Sequence, residues 1–107
     1  MPGSINLSSS RLDGLSFKGH AVFSASGTLI ASSGGVWSCT KGAAGYFTVT
    51  HPFTLPAGSV AIVTPAPTNQ NTNWAASGML QGASTLYVHL TAGTDQDATF
   101  HVAIYGP

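Results

Sequence analysis

A chain of 107 residues is the length of one domain, with a single core that buries somewhat under ~70% of the unfolded chain's surface. Charged side chains make up 6% of it: Arg11, Asp13, Lys18, Lys41, Asp95 and Asp97 sum to a net charge of zero, and Glu does not occur. This balance excludes the clustered Lys and Arg on which nucleic-acid and anionic-membrane binding depend, and a surface so poor in charge is expected to be covered by copies of the same chain or by a larger assembly.

Residues 1 to 16 are Ser-rich, with Ile5, Leu7, Leu12 and Leu15 too widely spaced to build a core element. They read as an extended arm, leaving residues 17 to 107 as the folded domain. The opening MPGSINLSSSRLDG has no apolar centre of the kind a signal peptide needs, and no apolar run in the chain approaches the ~20 residues of a membrane span. Synthesis in the cytoplasm is the expectation.

From Phe17 the pattern becomes period two, placing Phe17, Gly19, Ala21 and Phe23 on one face and Lys18, His20, Val22 and Ser24 on the other. Further strands are predicted at TLIAS (28 to 32), VWSCTK (36 to 41), YFTVTH (46 to 51), SVAIVT (59 to 64), WAASGML (74 to 80), TLYVHL (85 to 90) and TFHVAIY (99 to 105). Gly, Pro, Asn and Asp punctuate the gaps. About eight short strands near ten residues apart, with no helical periodicity, predict an all-β fold, an antiparallel β-sandwich or jelly roll. In the last strand Phe100, Val102 and Ile104 are expected in the core, while Tyr105 and Phe100 are both candidates for a contact between subunits. Cys39 cannot form an intrachain disulfide, and its place in an alternating strand predicts a small core thiol.

Catalytic pairs are scarce. General acid–base work needs positioned titratable groups, and the carboxylates are limited to Asp13, Asp95 and Asp97. Asp95 and Asp97, in AGTDQDAT, could share a Ca²⁺ with backbone carbonyls, although such an ion takes six to eight oxygens; an Asx-type turn before the last strand is the simpler reading. His20, His51, His89 and His101 lie in or beside predicted strands, with neither HxH nor HExxH spacing to define an intrachain zinc site. No catalytic residue, metal ligand or cofactor is assigned. One arrangement stays open: in a trimer, a single His near the three-fold axis is presented three times. In PAPTNQNTNW (65 to 74), Asn69, Gln70, Asn71 and Asn73 offer paired donors and acceptors and Trp74 an apolar face, the combination of a sugar-binding surface. Equally, the segment can be a plain inter-strand loop whose Trp74 enters the core.

From Lys18 to His51 the order of features is Lys18, Phe23, Gly27, Ile30, then Val36, Ser38 and Thr40 in one strand, Gly45 and Tyr46, and Thr48 to Thr50 in the next; the chain closes on ATFHVAIYG. This order resembles a β-rich module that recurs in tailed-bacteriophage virion proteins, fibres and other external appendages. The resemblance implies a homotrimeric β-sandwich on the virion surface and not an enzyme. Two functions follow as expectations. In the first, the chain is a capsid decoration or cement subunit that binds the major capsid protein or other virion proteins through its arm, with Ile5, Leu7, Arg11, Leu12 and Leu15 as contact residues. In the second, it is a tail-fibre or spike module that recognises a host surface glycan through Asn69, Asn71, Asn73 and Trp74. A sandwich reached within about 17 residues of Met1, without a long shaft, favours decoration.

Overall fold

A computed structural model describes residues 11–12, 14–68 and 73–107. Among them are nine strands: β1 (Arg11–Leu12), β2 (Leu15–Phe23), β3 (Leu29–Ser32), β4 (Ser38–Lys41), β5 (Tyr46–Thr50), β6 (Val60–Pro65), β7 (Trp74–Gln81), β8 (Thr85–Ala92) and β9 (Phe100–Gly106). No helix occurs among the described residues. Two antiparallel sheets form a β-sandwich, one ordered β1-β2-β9-β6 with β3 also paired to β2, the other β4-β5-β8-β7. β1 pairs with Leu15 and Ser16, β3 pairs with Ala21 to Phe23, and β9 runs along the remaining edge of β2. Thus β1 and β3 share one edge, and the first sheet is four strands wide. Pro65 closes β6 at the opposite edge, where its missing N–H leaves no rung of the ladder unmade.

Alternation determines which side chains meet between the layers. Phe23, Phe100, Val102 and Ile104 of the first sheet and Phe47, Val49, Leu86 and Leu90 of the second are buried. Phe100 sits at their centre, its ring 5.6 Å from that of Phe23 and 4.7 Å from that of Phe47. Full burial of each such side chain contributes about 1.5–3 kcal/mol, and three rings in one contact join the sheets. Phe100 is therefore core alone, and its second expected role as a subunit contact is withdrawn; Tyr105, half-buried on the opposite face of β9, keeps that role open.

Phe17 departs from the expected face. The register of β2 on β9 shifts between Phe17, opposite Tyr105, and Gly19, opposite Ile104. Lys18 is the extra residue of a bulge, which turns Phe17 outward and leaves Gly19, Ala21 and Phe23 inward. The cause lies at Gly19: a Cβ there would stand 2.6 Å from the Ser33 carbonyl oxygen and 2.7 Å from Cζ of Phe53. Only a residue without a side chain lets the 33–34 backbone and the Phe53 ring come this close.

Trp37, expected inside a strand, precedes β4 and is buried, with Nε1–H donating to the Ser33 carbonyl at 3.0 Å. Its ring meets Phe53 edge-on at 5.6 Å and lies 6.2 Å from His51. These three residues seal one end of the sandwich. Cys39 faces the core from β4 but is half-buried, and burial pushes its thiol up to about 11, so it stays protonated at neutral pH.

Candidate functional site

The outward face of the first sheet follows from register. Since Phe100, Val102 and Ile104 point inward, His101, Ala103 and Tyr105 point outward, and their cross-strand partners share that face. Three rows result: Phe17–Tyr105–Val60, His20–Ala103–Ile62 and Val22–His101–Thr64. Phe17 is 41% and Ile62 44% exposed, and the Phe17 and Tyr105 rings meet edge-on at 5.5 Å. None of the nine side chains carries a fixed charge. Lys18, at the bulge, lies along the end of the sheet, where a Cβ on Gly106 would come within 3.0 Å of its Cε. A contiguous apolar surface without ionic groups suits a neutral, shape-matched partner.

The other outward face is more polar. Thr48, Tyr87 and Met79 form one row, and Tyr46, His89 and Ser77 the next. Tyr46 stacks on His89 with ring centres 4.2 Å apart and planes 8° from parallel, and His89 Nε2 lies 2.8 Å from Asp95 Oδ1. Asp97 is committed elsewhere: Oδ1 accepts from the Gly45 N–H at 2.7 Å, and Oδ2 pairs with Lys41 Nζ at 3.1 Å. The two carboxylates thus serve different partners. Among the described residues no group of three or more His, Cys, Asp or Glu converges as a metal site.

Trp74 opens β7 and does two things. It packs partly against the core, and it lines a cleft of about 420 Å³ with Ser24, Ser26, Thr68, Asp97 and Thr99. The cleft walls are hydroxyl-rich, and Ser24 Oγ is held in its turn by the backbone N–H groups of Ser26 and Thr28. Asn73 is exposed immediately before Trp74, while Asn69 and Asn71 lie outside the described residues. Of the residues expected to dock a partner, Ile5 and Leu7 also lie outside them. Arg11 and Leu12 form β1 at a sheet edge, and Leu15, opposite Leu12, opens β2, so these three belong to the first sheet.

His51 is the buried polar side chain of the sandwich end, only 2% exposed. Nδ1 accepts from the Phe53 N–H at 3.3 Å, and among the described residues Nε2 has no partner. Burial holds its pKa below the usual histidine range. The unfolded chain therefore takes up a proton first. Stability should be full above about pH 6.5 and fall as pH drops from there toward the lower folded value. Urea unfolding at about pH 7.5 and about pH 5.5 should show this loss, and His51→Gln should flatten the slope; an unchanged slope would assign the loss to other groups.

Sequence reasoning missed the pairing of His20 with His101. They are distant in the chain, and only the β2–β9 ladder brings them together, with ring centres 5.3 Å apart. It also missed the Gly45–Asp97 hydrogen bond. No family model, curated protein or solved structure matches this chain.

Proposed function

We propose that the chain is a structural subunit of a tailed-bacteriophage virion, a homotrimeric capsid decoration protein that packs against its own copies through the outward face of the first sheet and docks on the head through residues 1 to 15. One observation carries the reading: three rows of side chains across β2, β9 and β6, with Phe17, Val60 and Ile62 exposed, form an outward face without a fixed charge. A face of this kind buries no unpaired fixed charge when it meets a copy of itself, whereas a charged partner would lose solvation there.

Light scattering should give about three times the 10.8 kDa chain mass at micromolar protein. Ile62→Asp should reduce it to the monomer with strand content unchanged, since an unpaired carboxylate buried in an interface costs several kcal/mol. A wild-type monomer, or an Ile62→Asp protein that stays assembled, would overturn the proposed interface.

A second reading, a receptor-binding module for a host surface glycan, draws on the cleft beside Trp74, where an indole and several hydroxyls line one space. Co-sedimentation separates the two. Decoration requires binding to undecorated heads that is lost on removing residues 1 to 15 and kept in Trp74→Ala. Binding to host cells that is lost in Trp74→Ala and kept without those residues would establish the receptor reading in its place.

A further inference from the structure

The four histidines differ in what their rings do. His51 is walled in by Trp37 and Phe53 and accepts from a backbone N–H. His89 is bonded to Asp95 and stacked on Tyr46. His20 and His101, by contrast, are half-buried on the outward face of the first sheet, and among the described residues neither imidazole has a hydrogen-bond partner. They sit diagonally across β2 and β9, His20 opposite Ala103 and His101 opposite Val22. Their ring centres are 5.3 Å apart and their planes inclined by 56°.

We propose that His20 and His101 form a two-imidazole chelating site for a zinc-class divalent ion. The separation fits: metal–nitrogen bonds of about 2.0–2.1 Å meeting at a tetrahedral angle set two imidazole centres about 5 Å apart. Donor type selects the ion, since imidazole suits zinc, copper and nickel, whereas magnesium and calcium need oxygen ligands, and no carboxylate stands in the rows around the pair. β3 and β6 bring no titratable group, and the remaining ones on β2 and β9 are Tyr105 and Lys18, whose side chain runs beside Gly106 at the end of the sheet. The two side chains reach the ion from one copy of the chain, leaving its other positions to water or to groups of an apposed surface. The site therefore stands or falls independently of the proposed assembly.

Zinc and nickel, added separately to the full chain at about pH 7.5, should each bind once per chain in a calorimetric titration, and magnesium should not. His20→Gln and His101→Gln should each weaken binding by at least roughly tenfold. The double variant should lose little beyond either single one, because either breaks the chelate, and His89→Gln should bind as the wild type does. Nitrogen-15 spectra give a second reading that survives any effect of substitution on folding: zinc should move the ring signals of His20 and His101 and leave those of His51 in place. Absence of zinc and nickel binding, binding undiminished in the double variant, or shifts confined to His89 would overturn the site.

Discussion

Phe100→Ala should lower the free energy of unfolding by about 3–5 kcal/mol, measured by urea denaturation at neutral pH. The side chain is fully buried, and its ring is the one that touches an aromatic ring in each layer, Phe23 in its own sheet and Phe47 in the other. Truncation removes the transfer energy of the ring and leaves a cavity that both neighbours would have to collapse into, against the rigidity of two hydrogen-bonded sheets. Phe17→Ala is the matched control. Phe17 keeps much of its ring in water, so the same chemical deletion should cost well under half as much in the separated chain. Equal losses would show that the inter-layer contact is not where the aromatic energy resides.

Gly45→Ala is the second large effect, because two penalties fall on one residue. Gly45 has φ +80°, in the left-handed region, where a Cβ adds about 1–3 kcal/mol of strain. That Cβ would also press on the Leu90 carbonyl oxygen, with the Gln96 nitrogen 3.1 Å and the Asp95 Cβ 3.2 Å away. All three neighbours are held in place, since Leu90 N–H donates to the Gly45 carbonyl at 2.8 Å, Gln96 N–H donates to the Leu90 carbonyl at 3.3 Å, and Asp95 Oδ1 lies 2.8 Å from His89 Nε2. Overpacking of this kind costs a further ~1–3 kcal/mol. Gly82→Ala isolates the first penalty: it has φ +67° and nothing within 4 Å of an added Cβ, so it should lose only the backbone part. If the two variants unfolded at the same urea concentration, the steric term at Gly45 would be absent.

The strands were legible because each is short, β-branched or aromatic in composition and bounded by Gly or Pro. TFHVAIY, for example, is β9 displaced by a single residue, and Phe100, Val102 and Ile104 lie inward as alternation requires. Alternation misplaced Phe17 for a physical reason, namely that a period-two pattern carries no mark of the extra residue in a bulge, and the bulge is set by contact of Gly19 with the remote Ser33 and Phe53. Trp37 was misread in the same way: its hydrogen bond to Ser33 and its packing on Phe53 are tertiary. The candidate surfaces were less legible still. Trp74 stood out by residue type, but its cleft is assembled from four separate stretches of chain. The rows of the outward face and the His20–His101 pair depend on which strands neighbour β9, and local sequence does not encode that choice.

The pairing of β2 with β9 has a consequence for how the fold is reached. Ser16 is opposite Gly106 and Phe23 opposite Phe100, so the middle of the first sheet is a union of two segments from opposite ends of the domain. The second sheet, in contrast, is built from the β4–β5 and β7–β8 neighbours and one longer link. Closing the β2–β9 loop is the largest entropic step, and such distant pairings slow folding. During synthesis, β2 leaves the ribosome long before β9, and its inward residues Ala21 and Phe23 wait without their partner strand. The first sheet is thus completed only after translation of residue 106, and until then one edge of β2 stays unpaired even where β1 and β3 cover the other, the state in which nascent β proteins are most exposed to misassociation.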